Sequence, residues 1–184
     1  ISTRSRFLIN SYSKSIFNVL YLNVDKVIIL PLFGTLQLGQ YYFGFQVFNA
    51  MVLLSTTVFQ FTTPEDSSGI PHTKLKKYTV SLSTLISLVG IFLTPFLIPI
   101  LLPQFVDSIF IIQIMSIGVT PFSISLMYMS KFLGDEKIKI VIIGKILSVI
   151  SIIIGIIFLG NIYGIIGIAI SFTLSTIIQT VYFF

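Results

Sequence analysis

Polar residues in this chain gather in a few clusters. Between them the sequence stays apolar for stretches long enough to cross a bilayer, which takes about 20 helical residues. The stretch 10–34, NSYSKSIFNVLYLNVDKVIILPLFG, departs from this pattern because Asp25 and Lys26 lie well inside an otherwise apolar run. A charge at mid-membrane costs a few kcal/mol, so such residues face a bundle interior or a water-filled cavity. The other apolar runs then read as the walls of a bundle around this one. A membrane barrel would alternate polar and apolar residues in segments of about ten, and these runs do not alternate. The pattern predicts an all-α, polytopic transmembrane six-helix bundle, a single domain over 1–184. Its helices fall at about 10–34, 39–61, 78–102, 104–131, 138–159 and 162–184.

The separators between these helices differ in kind. A short uncharged link occupies 34–39, and a charged loop punctuated by Pro64, Gly69 and Pro71 occupies 62–77. That loop carries the lone His72, which has no partner at metal-ligand spacing and reads as a loop histidine. A second charged loop lies at 131–139, and Gly160-Asn161 reads as a turn. Pro95 and Pro99 stand four residues apart on one face of the third helix. Pro121 is expected to kink the fourth near its middle. Each proline costs a backbone hydrogen bond, which neighbouring helices can make good in a membrane. All three are candidate hinges, with a plain kinked helix as the simpler reading. Gly164, Gly167 and Ala169 near the start of the sixth helix are expected to let helices pack closely. The aromatic cluster around Tyr41 and Tyr42 suits the headgroup level.

Composition agrees with the pattern. The chain is 55% hydrophobic and 9% charged, whereas a soluble domain carries roughly 25% charged residues. There is no cysteine and one histidine, which removes thiolate zinc sites, cysteine nucleophiles and most triad chemistry. No phosphate-binding glycine loop and no paired-carboxylate arrangement occurs. The chain is not expected to be an enzyme, to hold a metal or to need a cofactor. The net charge of +5 comes largely from loop lysines, so it bears on topology and not on nucleic-acid binding.

That topology follows from where the lysines and arginines fall. Arg4, Arg6 and Lys14 cluster near the start; Lys74, Lys76 and Lys77 share one loop; Lys131, Lys137 and Lys139 share another. The links at 34–39, near 103 and at 160–161 carry no basic residue. Six crossings with both ends and both charged loops on the cytoplasmic side satisfy the positive-inside bias. No signal peptide is visible, and both ends look cut from a longer polypeptide.

Within this frame Asp25, Lys26 and Lys145 are the candidate functional charges. Asp25 and Lys26 are adjacent and point about 100° apart, which predicts no good ion pair between them. Each either lines a cavity or bridges to another helix. Lys26 lies about 12 Å from Gly34 along a helix axis, too deep for easy snorkelling. Lys145, about two turns inside its helix, could reach back to the interface.

Several local patterns carry a family resemblance. They are Val24-Asp25-Lys26-Val27-Ile28-Ile29-Leu30 followed by Phe33-Gly34, then Leu38-Gly39-Gln40-Tyr41-Tyr42. Lys131-Phe132-Leu133-Gly134 after the Pro121 helix adds to these, as does Tyr163-Gly164-Ile165-Ile166-Gly167-Ile168-Ala169. In these the chain resembles the polysaccharide biosynthesis, or O-antigen flippase, family. That family sits within the superfamily that includes multidrug and toxin exporters and peptidoglycan-lipid flippases. The resemblance implies one six-helix lobe, the C-terminal one, of a two-lobed transporter in the cell membrane. Its partners would be a second lobe of the same parent chain, membrane lipids and a lipid-linked oligosaccharide flipped from the cytoplasmic to the outer leaflet. It further implies Lys26 and Lys145 as phosphate or sugar contacts and Asp25 as a gating or coupling residue. The alternatives are a cation-coupled multidrug or toxin exporter with Asp25 as the ion site, and a non-transport membrane assembly subunit whose buried charges pair with another chain.

Overall fold

In the computed structural model the backbone is described from Ser2 to Phe184 and the side chains from Asn23 onward. The basic cluster of Arg4, Arg6 and Lys14 lies outside the described side chains. Every regular element is helical: α1 (Ser2–Ser67), α2 (Thr73–Leu101), a 3-10 segment (Pro103–Ser108), α3 (Ile109–Ile117), α4 (Val119–Gly134) and α5 (Ile138–Phe183). Among the described residues four helical stretches are long and apolar enough to cross a membrane: Asn23–Ser67, Thr73–Leu101, Pro103–Gly134 and Ile138–Phe183. The expected count of six separate helices is therefore corrected to four. The expected pairs 10–34 with 39–61, and 138–159 with 162–184, each form one continuous element, because the change of direction takes a single non-helical glycine and no intervening loop.

A single glycine interrupts each merged helix. Gly34 has φ 84° and ψ 177°, and Gly164 has φ 59° and ψ −135°. Side chains make positive φ costly, and glycine escapes that cost. No atom lies within 4 Å of where a Cβ would stand on either residue, so backbone conformation, not space, selects glycine. The bends are sharp. Sixteen residues of straight helix span about 24 Å, yet the Tyr41 hydroxyl donates to Asp25 across that separation at 2.6 Å. In α5 a Cβ on Gly155 would meet the Ser171 Cβ at 2.7 Å. Gly144 also lies against Phe183. Both α1 and α5 thus fold back, with their two arms side by side.

The arms share a common sense of direction. Along the arm of α1 after Gly34, Gly44 meets Ile111, Ser55 bonds Ser123 and Thr62 bonds Ser130, so this arm runs parallel to α3 and α4. The last arm of α5 runs the same way, with Thr173 bonded to the Ile114 carbonyl and Thr180 to that of Pro121. α2 runs opposite, Ser83 meeting Ser55 and Ser87 meeting the Ser116 carbonyl.

The interior is more polar than the exterior. Ser55, Thr62, Ser83, Ser108, Ser123 and Ser130 are fully buried, while Leu36, Phe96 and Ile100 are 75%, 71% and 78% exposed. In lipid, helices are joined by packing and by bonds among small polar residues, not by expulsion of water. A soluble protein rarely leaves so much contiguous apolar surface in water. Helices of this length and hydropathy, with an apolar outer face, are compatible with a multi-pass membrane protein. The apolar core proper joins Ile29, Tyr41, Phe48, Val52, Ile111, Met115, Ile156, Ile168 and Phe172.

Candidate functional site

The fold-back at Gly34 builds the first polar site. It carries Tyr41 and Phe45 across to Asp25 and Lys26. Asp25 is 6% exposed and Tyr41 fully buried. The Tyr41 hydroxyl donates to Asp25 Oδ2 at 2.6 Å, and Lys26 Nζ lies 3.3 and 3.4 Å from the two carboxylate oxygens. The same ammonium stands 4.0 Å from the centroid of the Phe45 ring, a cation–π arrangement. Phe45 in turn meets Tyr41 on one side and Phe172 on the other, with centroids 6.3 and 5.7 Å away.

Asp25 and Lys26 do pair, against the expectation from their divergent helix positions. The physical reason is the length of the lysine side chain. Its ammonium reaches the neighbouring carboxylate while standing over the Phe45 ring. Pairing makes the cluster internally neutral, which offsets part of the cost of burying two charges. The bond from Tyr41 to the carboxylate is short and charge-assisted, the stronger kind. Tyr41 is therefore a buried partner of Asp25 and not a headgroup-level aromatic. Tyr42 is 46% exposed and its hydroxyl accepts from Gln46 at 2.7 Å.

Lys145 does not join this cluster. It lies half-buried in α5 beside Gly144, which packs on Phe183. Phe172, next to Phe45, is about 16 Å away from that end along the helix. The three candidate charges form no single site.

The hinge candidates behave differently from one another. Pro95 and Pro99 lie inside α2, which continues through both. Pro121 lies near the middle of the Pro103–Gly134 stretch. The stretch is interrupted at Gly118, between α3 and α4, three residues before Pro121, and proline has no N–H to offer the Ile117 carbonyl. The Pro121 carbonyl accepts from Thr180 at 2.6 Å, so α5 fastens this joint.

Among the packing candidates, a Cβ on Gly167 would collide with the Leu159 carbonyl, and Ala169 is fully buried. Gly164 makes the bend instead of a close contact. Gly44, Gly90, Gly144 and Gly155, not singled out from the sequence, also pack closely, mainly against side chains where Gly167 meets backbone.

A second polar site lies at the end of the bundle that carries the charged loops. Pro64 does not end α1, which continues to Ser67, so Asp66 belongs to a last helical turn and not to a loop. Its side chain is 7% exposed and pairs with Lys76. It also accepts from Ser130 at 2.5 Å, and Ser130 bonds Thr62 at 2.9 Å. Gly134 allows the approach, since its Cβ would stand 2.7 Å from that of Asp66. Proline and glycine so close to Asp66 read as loop, and nothing local in the sequence marks it as buried. Beside this network opens a cavity of about 790 Å³ between the start of α2 and the end of α4. Lys77, Lys131, Val80, Ile124, Met127 and Tyr128 are among its lining residues. His72, at the start of α2, has Glu65 at 3.7 Å and the Phe61 ring at 5.6 Å. Comparison with protein-family models, curated proteins and solved structures finds no match for this chain.

Proposed function

We propose that this chain is one lobe of a membrane transporter that moves a lipid-linked oligosaccharide from the cytoplasmic to the outer leaflet. In this reading the two arms of α1 and of α5 cross separately, giving six crossings. Gly34 and Gly164 mark the outer side, and the charged loops and both ends are cytoplasmic. A second lobe of the same parent polypeptide completes the cavity, as the resemblance to the O-antigen flippases implies.

The observation that carries the proposal is the Asp25–Lys26–Tyr41 cluster, a buried ion pair next to a sharp bend in an apolar helix. Tyr41 holds Asp25 closely, whereas the Lys26 contacts are long. The ammonium is thus the partner that can exchange its carboxylate for the phosphate of a carrier lipid, as a compact point charge, while Tyr41 continues to satisfy Asp25. A cation-coupled exporter needs the carboxylate open to the coupling ion, and here Lys26 and Tyr41 occupy it. An assembly subunit would offer its buried charge to another chain, and here the pair closes within the chain.

The test uses paired substitutions. Lys26→Gln alone leaves a buried carboxylate hydrogen-bonded by Tyr41 but without the Lys26 counter-charge, and should lower protein amount. Asp25→Asn with Lys26→Gln removes both charges and should restore it. The double variant in the parent protein should lose glycan-export complementation and binding of purified lipid-linked substrate. Wild-type binding by a well-folded double variant would overturn the proposal.

A further inference from the structure

We propose that the cavity between α2 and α4 is a binding site for the phosphate headgroup of an anionic phospholipid of the surrounding leaflet. The site is separate from the Asp25–Lys26 cluster, which lies near the other end of the α1 arm that follows Gly34, and does not depend on the transport reading.

The cavity is amphipathic along its depth. Val80, Ile124 and Met127 form apolar walls one to three turns inside the bundle end, beside the half-buried Tyr128 ring. Lys77 and Lys131 stand exposed at its mouth from opposite walls, with Thr73 and Ser81 supplying hydroxyls. The two acids that line the cavity are already engaged. Asp66 is held by Lys76 and Ser130, and Asp135 pairs with Lys137 at 3.0 Å. Neither Lys77 nor Lys131 has an ion-pair partner among the described residues. The mouth therefore carries two surplus positive charges above an apolar wall. A phosphate between two ammonium groups, with an acyl chain running down that wall, matches both features. A soluble anion would match only the first, and a zwitterionic headgroup would bring its own cation to a cationic rim.

The experiment measures the thermal midpoint of the purified protein in detergent during titration with phosphatidylglycerol, phosphatidylcholine or glycerol phosphate. A ligand of the native state raises the midpoint with the logarithm of its concentration over its Kd. Phosphatidylglycerol should raise it, and the other two should not. Lys77→Gln with Lys131→Gln should weaken the phosphatidylglycerol response about 25-fold in concentration, the loss expected for two basic residues at a membrane surface. Both lysines are exposed, so the lipid-free midpoint should hold and serves as the control. Lys74→Gln with Lys139→Gln, in the same loops but outside the cavity, should leave the response unchanged. An equal response to phosphatidylcholine or glycerol phosphate overturns the proposal. So does an equal loss from both lysine pairs, or no loss from the first.

Discussion

Single hydroxyls hold much of this interior together. Ser55 lies between Ser83 at 2.7 Å and Ser123 at 2.8 Å, joining three helices at one fully buried point. Interhelical bonds of this kind average about 0.6 kcal/mol and reach about 1.7 in membranes. Ser55→Ala should therefore lower stability by about 1 kcal/mol, read as a fall in thermal midpoint in detergent. An unchanged midpoint would mean that Ser83 and Ser123 bond each other without it. Glycines give a sharper contrast. Gly164→Ala forces a Cβ onto a backbone that only glycine adopts comfortably, at a cost of about 1–3 kcal/mol. Gly39→Ala sits in helix with open space around it and should be neutral or slightly stabilising. If the two variants lose equal stability, the bend at Gly164 is not what makes glycine necessary there.

At the scale of elements, the fold-back of α5 lends itself to direct measurement. The chain has no cysteine, so an introduced pair reports without background. Gly155→Cys with Ser171→Cys should form a disulfide on mild oxidation, because a Cβ at 155 falls against that of Ser171 and bridged Cβ atoms stand about 3.8 Å apart. On a straight helix the two positions would lie about 24 Å apart, and no intramolecular bridge could form. The joint between α3 and α4 makes a related prediction. Pro121→Ala supplies the N–H that proline lacks opposite the Ile117 carbonyl, so stability should hold or rise by about 1 kcal/mol. The Thr180 bond reaches the residue 121 carbonyl, which alanine retains. Thr180→Val should lower stability instead, because it frees both that carbonyl and Ser125.

For the whole molecule the decisive quantity is orientation. With the chain running up and down through both bends, the 62–77 and 131–139 loops share one face, and Gly34 and Gly164 lie at the other. Cysteines introduced at Ser68 and Asn161 should label from opposite sides of the membrane with an impermeant reagent. Labelling of both from one side would defeat the six-crossing arrangement and the cytoplasmic placement of the lysine loops that goes with it.

Continuous apolar runs with no polar alternation made the helical class legible in the sequence, because in lipid only a helix or a closed barrel satisfies every backbone group. The spacing of the lysine clusters along the chain put their two loops at one end of the bundle, where Asp66 meets Lys76 and Ser130. The apolar runs also marked Asp25 and Lys26, since a charge inside such a run is conspicuous. What those charges do locally was not legible. Their pairing depends on Tyr41 and Phe45, which become neighbours only through the fold-back at Gly34. Reversals were expected at 34–39 and 160–161, but that a single glycine at positive φ makes each one, Gly34 and Gly164, without a separate loop was not legible. Asp66 was hidden for a similar reason: its partners Lys76 and Ser130 come from α2 and α4, and its flanking proline and glycine resemble loop punctuation. Periodicity and charge act along the chain and can be read from it, whereas burial and pairing across helices arise only once the helices have packed.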